Sequence, residues 1–229
     1  MMMASNERFA ALYPLFGDGL HLEPGETVMA RAPMRWMLSG WRDVPRGGGG
    51  DCTNVALTAA ASTSLRLSED REHITLLAPD VDLKLCLTPR ELAMPPRPDE
   101  PHAMIRALLH AAQPPAGLEL RCTAKGIPAA TGLGTSAALQ VTLVRVLAEA
   151  AGRQLSDTDL IYAARLPETY VLGMSCGFQD QAAAVHGGIA NYHTRFQGDR
   201  EMIEIRPLAV DPLLLETIDA GMIIVDFGT

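Results

Sequence analysis

The chain has 229 residues, 48% of them hydrophobic, which suffices for one large globular domain or two small ones. Its formal net charge of -8, with only two lysines, Lys84 and Lys125, argues against nucleic acid or an anionic membrane as a partner. No apolar run reaches the roughly 18 residues of a membrane span, and residues 1–9 lack the basic flank and the apolar core that are typical of a signal peptide. Four cysteines without CxxC spacing favour reduced thiols in a cytoplasmic protein over a zinc site or disulfides.

Residues 1–27 combine a short apolar patch with glycine and proline breakers, and we interpret them as an N-terminal extension carrying one short helix. From residue 28 onward, strands alternate with helices, which is typical of an α+β protein built as an α/β sandwich. Strands are predicted near 27–32, 57–67, 73–78, 82–87, 117–123, 188–194, 201–207 and 221–226. Helices are predicted at 101–112, 136–151, 157–166 and 178–186.

The helix predicted at 136–151 is the best specified of these elements. Its leucines, valine and alanines recur at helical spacing and form an apolar stripe. Gln140, Arg145 and Glu149 fall outside the stripe and are expected to be solvated. Gly152 is expected to end the helix, because glycine adopts the left-handed conformation that closes a last turn.

A loop of small residues, Pro128 to Ala138 with the sequence PAATGLGTSAA, runs directly into this helix. Small side chains leave its backbone N–H groups accessible, and a helix N terminus carries partial positive charge. Phosphate is the ligand that best suits such a site. The residues alone leave a second interpretation open, in which the glycines only make a tight turn before a core helix. The Gly-Lys-Ser/Thr ending of the other well-known phosphate loop does not occur here.

A second cluster lies in residues 31–45, which are rich in arginine and tryptophan. A strand carrying Arg35 into a loop carrying Asp43 would place a cation that suits phosphate near an acceptor for sugar hydroxyls. The alternative interpretation is a surface strand with ordinary salt bridges.

A third cluster contains Glu168 and the segment 177–188. Phosphoryl transfer needs a metal ion and a carboxylate that accepts or orients the attacking hydroxyl. Ser136 and Glu168 for Mg²⁺, with Asp180 as the separate carboxylate, fill these roles if the fold brings them together. Otherwise Glu168 and Asp180 are acids at helix ends.

Together, the three clusters resemble the motifs of the GHMP kinase superfamily, named for galactokinase, homoserine kinase, mevalonate kinase and phosphomevalonate kinase. Residues 128–138 are similar to its phosphate-binding motif, Pro-x-x-x-Gly-Leu-Gly-Ser/Thr-Ser-Ala. Residues 31–45 resemble the first motif of L-fucokinases and heptose 7-phosphate kinases, and 177–188 resemble the Gly-x-Gln-Asp-Gln…Gly-Gly of that branch. The resemblance spans about 28–229 and implies an N-terminal ATP-binding domain with a left-handed βαβ crossover, like domain 2 of ribosomal protein S5.

The resemblance implies transfer of the γ-phosphoryl group of ATP, with Mg²⁺, to a hydroxyl of a sugar or sugar phosphate, in this branch usually at the anomeric carbon. The residues expected to wrap the ATP phosphates are Gly132, Leu133, Gly134, Thr135, Ser136 and Ala137. Ser136 and Glu168 match the Mg²⁺ ligands, and Asp180 matches the proposed catalytic base.

Further roles follow from the same resemblance. Arg35 matches a basic residue near the transferred phosphate or the base, Asp43 matches an acid that binds sugar hydroxyls, and Gln179 is expected beside the substrate. Pro167 excludes a continuous, normally bonded helix at Glu168. The family also has a C-terminal domain that is expected to begin where this chain ends. The alternative function is therefore a nucleotide-binding lobe that needs a second domain, a partner chain or a homodimer.

Overall fold

The computed structural model describes residues 2–40, 50–124, 132–197 and 200–221, and these form a seven-stranded mixed sheet with helices. The strands are β1 (Thr27–Gly40), β2 (Gly50–Leu67), β3 (Ile74–Ala78), β4 (Leu83–Leu87), β5 (Leu118–Thr123), β6 (Ile189–Gln197) and β7 (Arg200–Pro207). The helices are α1 (Met2–Leu12), α2 (Pro89–Leu92), α3 (Ala103–Ala112), α4 (Thr135–Ala150), α5 (Asp157–Leu166), α6 (Gln179–His186) and α7 (Pro212–Gly221). The predicted α+β class is confirmed.

The long strand β2 organises the sheet. Along one edge it pairs antiparallel with β1. Along the other edge, residues 50–55 pair with β6 and residues 62–67 pair with β5. The resulting order is β4-β3-β5-β2-β6-β7, with β1 beside β2. With its 18 residues, β2 is long enough to hold both halves of the sheet together.

The strands and helices that were predicted within the described residues are present, with differences at their ends. The strands predicted at 27–32 and 57–67 continue to Gly40 and begin at Gly50. The outer half of β1 is largely exposed, so it lacks the apolar alternation by which strands are predicted. Helices α2 and α7 were not predicted. The strand predicted at 221–226 lies outside the described residues, apart from Gly221 in α7.

Helices α4, α5 and α6 form a layer on the side of the sheet that buries every second residue of β1. Val28, Ala30 and Met34 are buried, whereas Met29 between them is 70% exposed. Both α4 and α6 contact β1 and β2, and α5 packs on α4 and α6. The core therefore lies between the sheet and these three helices.

The expectation that Gln140 is solvated is wrong. Its side chain is only 2% exposed, because α4 is covered by the sheet on one side and by α3, α5 and α6 on the others. Of the other two residues outside the predicted apolar stripe, Glu149 is exposed and Arg145 is half-buried. Gly152 follows the end of α4 with a φ of +65°, so the predicted helix stop is confirmed.

The N-terminal segment packs on the layer of helices. Leu12, Tyr13 and Leu15 are buried in the same core as the sheet residues. The Tyr13 hydroxyl donates a hydrogen bond to the carbonyl oxygen of Ala163 in α5. The predicted short helix is α1, and it reaches the main body of the protein.

The last described helix, α7, has no buried residue. Leu213, Leu214 and Leu215 are exposed on it. Among the described residues, no helix combines the length and the apolar character needed to cross a membrane.

Candidate active site

The described part of the phosphate loop enters α4 through a glycine that cannot be replaced without strain. Gly134 is the N-cap residue of α4 and has a φ of +74°, in the left-handed region. A Cβ at this position would also lie 3.2 Å from Cγ of Arg35. Residues 128–131 of the loop lie outside the described residues.

Side chains anchor the loop and leave its first helical turn accessible. Leu133 and Ala137 are buried. The Thr135 hydroxyl donates to the sulfur of Met34 at 3.7 Å, whereas Ser136 is exposed. Of the two hydroxyls predicted for the site, that of Ser136 is the one on the accessible surface.

An irregularity in β1 aims Arg35 at this loop. The pairing of β1 with β2 shifts register between Pro33 and Arg35, and proline has no N–H to offer the ladder. The pairing resumes with Arg35 opposite Ala56, and the Arg35 backbone N–H donates to the carbonyl oxygen of Leu133 at 2.9 Å. Its guanidinium Nη1 donates to the carbonyl oxygen of Gly132. Arg35 therefore holds the loop through both its backbone and its side chain.

The same guanidinium holds Asp180, the second residue of α6. Nε and Nη2 of Arg35 lie 2.8 and 2.6 Å from Oδ1 of Asp180. The two side chains are 12% and 33% exposed, so the pair lies at the boundary between interior and solvent. Within the described part of the chain, the second carboxylate oxygen, Oδ2, accepts no hydrogen bond. One arginine thus joins the loop, β1 and α6.

Glu168 lies in a π-helical turn, Pro167–Val171, that follows α5. The predicted break in normal helical bonding at Pro167 is confirmed: the Leu172 N–H donates to the carbonyl oxygen of Pro167 at 3.1 Å, the five-residue spacing of a π turn. The Glu168 side chain is buried, with 8% of its surface exposed. Its Oε2 accepts hydrogen bonds from Nε2 of Gln181 and Sγ of Cys176, both at 3.2 Å.

The surroundings of Glu168 fit a bound cation. No arginine or lysine among the described residues forms an ion pair with this buried carboxylate. A buried charge without a counter-ion is costly, so a cation at this position would remove the cost. Ser136 lies one helical turn before Gln140, and Gln140 accepts a hydrogen bond from Gln181 at 3.0 Å. Hydroxyl and carboxylate oxygens are the donors that Mg²⁺ prefers.

The loop between Glu168 and α6 is fixed by a buried arginine. Nε and Nη2 of Arg165 donate to the carbonyl oxygen of Cys176 at 2.9 and 2.6 Å. Nη1 of Arg165 pairs with Glu201 at 3.0 Å, and its guanidinium lies 3.9 Å from the centre of the Phe178 ring. Burial and the neighbouring Glu168 carboxylate raise the pKa of Cys176 to about 12, so the thiol keeps its proton and can donate it in a hydrogen bond.

The structure brings Arg35, Asp180 and the glycine loop together, and it places Glu168 on the turn that packs beside α6. Gln179 is buried next to Asp180. Asp43 lies outside the described residues. The sequence analysis missed Gln181, although the Gln-Asp-Gln segment contains it, because its partners Gln140 and Glu168 lie on α4 and on the turn Pro167–Val171, and only the fold brings these to α6.

Comparisons with known proteins agree on the domain type. Residues 101–188, which include the described part of the phosphate loop, Glu168 and Asp180, match the family model of the GHMP kinases N terminal domain. No curated protein matches the chain significantly.

Solved structures of similar fold include several kinases. They include D-glycero-D-manno-heptose 1-phosphate kinase from Bacteriodes thetaiotaomicron, with a TM-score of 0.69, 22% identity and coverage of 85% of this chain and 64% of that one. Galactokinase from Lactococcus lactis has a TM-score of 0.62 and 22% identity, with 91% and 52% covered. Mevalonate kinase from Methanococcus jannaschii has a TM-score of 0.61 and 18% identity, with 77% and 58% covered. At such identities the likeness establishes the fold, and the chain spans 52 to 64% of the length of these three proteins.

Proposed function

We propose that this chain acts in an ATP-dependent kinase that phosphorylates a hydroxyl of a sugar or sugar phosphate, because residues 101–188 match the family model of the GHMP kinases N terminal domain. The expected acceptor is the anomeric hydroxyl. The observation that carries the proposal is the junction at Arg35, where one guanidinium binds both the glycine loop and the Asp180 carboxylate. Phosphoryl transfer depends on positioning and on charge stabilisation. Because Arg35 binds both groups, it fixes the distance between the glycine loop and the Asp180 carboxylate.

The first turn of α4 provides the phosphate-binding groups. The N–H groups of Thr135, Ser136 and Ala137 lie in the first turn, where a helix has no carbonyl partners for them. Together with the partial positive charge of the helix end, they would bind the phosphate oxygens of ATP. The alternative that the glycines only make a tight turn does not account for the contacts of Arg35 with the loop and with Asp180.

Asp180 is the proposed catalytic base. Its Oδ1 is held by Arg35, while its Oδ2 has no partner among the described residues. The proton of the attacking sugar hydroxyl would pass to Oδ2 while the hydroxyl oxygen bonds to the γ-phosphorus. The bond between the γ-phosphorus and the bridging oxygen of the β-phosphate would break, and ADP would leave. Arg35 keeps the carboxylate in place during this transfer and offers positive charge near the transferred group.

Ser136 and Glu168 would hold Mg²⁺ through the Ser136 hydroxyl and a Glu168 carboxylate oxygen. When bound, the ion neutralises charge on the phosphate oxygens of ATP. Gln179 and Asp43 are the residues proposed to bind the sugar. Gln179 directly precedes the base in α6, which suits a contact with the acceptor.

The proposal is tested by measuring ADP release from ATP and Mg²⁺ with a panel of sugars and sugar phosphates. We expect one class of acceptor to raise the rate well above the rate with ATP alone. A thermal-shift screen with a non-hydrolysable ATP analogue selects the panel, because a ligand that binds only the folded state raises its apparent stability. Failure of every nucleotide to stabilise the protein would refute the proposal.

A second candidate is a nucleotide-binding lobe that acts only with a further domain or partner chain. It is favoured by the lengths of three proteins of similar fold, since this chain spans only 52 to 64% of each of them. The three exposed leucines of α7 would suit an apolar contact of this kind. Sedimentation combined with the activity assay distinguishes the two, since a fully active monomer of 229 residues excludes the second candidate.

A further inference from the structure

We propose that Gln181 and Cys176 are positioning residues that orient the Glu168 carboxylate for the divalent cation, an inference that rests on the proposed function. Nε2 of Gln181 donates to Oε2 of Glu168 at 3.2 Å and to Oε1 of Gln140 at 3.0 Å. Sγ of Cys176 donates to the same Oε2 at 3.2 Å. Both donors therefore act on one oxygen of Glu168. Within the described chain the other oxygen, Oε1, accepts no hydrogen bond and is left for a metal ion.

The orientation of the Gln181 amide follows from its surroundings. Its NH₂ group carries two hydrogens, and each points to one acceptor, on Glu168 and on Gln140. The opposite orientation would place the amide oxygen against two other oxygens in the interior. Gln181, Gln140 and Glu168 are only 3%, 2% and 8% exposed, so water competes little for these contacts. At such burial a satisfied hydrogen bond is strong, and a lost one is not replaced.

Cys176 is held from its backbone side. Arg165 donates two hydrogen bonds to the Cys176 carbonyl oxygen, and the 6% exposure of Arg165 shows that it is itself buried. The thiol hydrogen is thereby directed at Glu168 from a fixed loop. A thiol is a weak donor, so we expect Cys176 to contribute less than Gln181 to the orientation of the carboxylate.

A purely structural role is the rival explanation, because the same contacts also tie the turn Pro167–Val171 and α4 to α6. That role predicts loss of stability without loss of metal affinity. Substitution of groups that orient metal ligands typically lowers metal affinity about 10- to 100-fold. Metal binding, measured apart from turnover, separates the two explanations.

The experiment measures Mn²⁺ binding in the presence of a non-hydrolysable ATP analogue, using the electron paramagnetic resonance signal of free Mn²⁺. Gln181→Met keeps the length of the side chain and removes its donors, and we expect Mn²⁺ affinity to fall about 10- to 100-fold. Cys176→Ala is expected to cause a smaller fall, and Cys176→Ser, which keeps a donor, to restore affinity towards that of the wild type.

Thr142→Val is the matched control. Like Gln181→Met, it removes a buried polar group, but from α4. The Thr142 hydroxyl contacts that of Thr63 at 2.7 Å and donates to the carbonyl oxygen of Leu139 at 2.9 Å. Among the described residues it forms no hydrogen bond with Glu168 or Gln181. We expect this variant to lose stability and to keep wild-type Mn²⁺ affinity. Thermal unfolding of each variant confirms that it is folded, and the comparison of Cys176→Ala with Cys176→Ser decides the matter if Gln181→Met does not fold.

Glu168→Gln separates failure of this inference from failure of the proposed function. If Glu168→Gln loses Mn²⁺ while Gln181→Met and both Cys176 variants bind it as the wild type does, Glu168 is a ligand and the positioning role is overturned. If Glu168→Gln binds Mn²⁺ as well as the wild type, the ligand assignment of the proposed function is overturned.

Discussion

Asp180 and Glu168 lie on neighbouring elements of the candidate site, but their charges have different surroundings in the protein. The Asp180 carboxylate is 33% exposed and forms an ion pair with Arg35 at 2.6 Å. Glu168 is more deeply buried, and its hydrogen bonds come from neutral donors, the Gln181 amide and the Cys176 thiol. The first charge is compensated inside the chain.

This difference separates two chemical tasks. A carboxylate paired with a fixed arginine keeps its position while one oxygen stays open to a substrate proton. A buried carboxylate that lacks a cationic partner in the described structure is suited to an ion from solution, because that ion relieves its desolvation cost. Substitutions on the two sides should therefore change different measured quantities.

The largest effect is expected from Asp180→Asn. This change removes the proposed proton acceptor and keeps the shape of the side chain, so kcat should fall by about 10²- to 10⁴-fold. The affinity for a non-hydrolysable ATP analogue, measured by calorimetry, should stay unchanged. Asp159→Asn is the control. Asp159 forms an ion pair with Arg8 at 2.8 Å, and neither residue belongs to the glycine loop. An unaffected rate in Asp180→Asn would exclude its role as the base.

Arg35→Lys should have the next largest effect. Lysine keeps the positive charge but cannot bind the Gly132 carbonyl and Asp180 at once, because it lacks the planar fork of the guanidinium. Loss of a charge-assisted hydrogen bond costs about 1.5–3 kcal/mol, so kcat/KM should fall by about 10- to 100-fold. Steady-state kinetics with ATP as the varied substrate measure the effect. Wild-type kinetics would show that the Arg35 junction is not required.

The Glu168→Gln variant should be more stable than the wild type without divalent cations and less stable than the wild type with Mg²⁺ and an ATP analogue. Without divalent cations, removal of the buried charge should stabilise the protein by about 1–2 kcal/mol. This corresponds to an increase in Tm of roughly 2–8 °C for a chain of this size. With Mg²⁺ and an ATP analogue, the wild type should gain stability that the variant lacks. Calorimetric scans with EDTA and with Mg²⁺ measure both, and an unchanged order would contradict the comparison with Asp180.

Gly134→Ala should have the smallest effect. A left-handed conformation costs a residue with a Cβ about 1–2 kcal/mol, and the new methyl group would also crowd Arg35. Gly152→Ala carries the same backbone strain at the far end of α4. Both variants should lower the Tm, but only Gly134→Ala should weaken binding of the ATP analogue. Equal nucleotide affinity in the two variants would contradict the proposed loop.

The local parts of the site could be predicted from the sequence. The glycine loop, Arg35 and Asp180 lie in short motifs whose chemistry depends on neighbouring residues, and the helices around them follow from apolar spacing. The burial of Gln140 could not be predicted, because it results from three helices that pack on α4 from distant parts of the sequence. For the same reason, the sequence did not show that Gln181 would reach Glu168.

The irregular parts of the fold escaped prediction for a different reason. The second half of β1 has no buried face, so its sequence does not show alternating apolar and polar residues. Helix α7 buries no residue. Its leucines are therefore not spaced as the apolar face of a packed helix would be, and the sequence did not predict this helix. Periodicity predicts an element only where the element packs on something.

The aromatic ring of Phe9 in α1 stacks on that of Tyr170, with ring centres 4.0 Å apart. Tyr170 belongs to the same short turn as Glu168. Helix α1 therefore packs against the turn that carries the proposed metal ligand. A shortened protein that starts at Thr27 would lack Phe9 and with it this ring contact to the turn. Metal affinities should accordingly be compared only between proteins that share the same first residues.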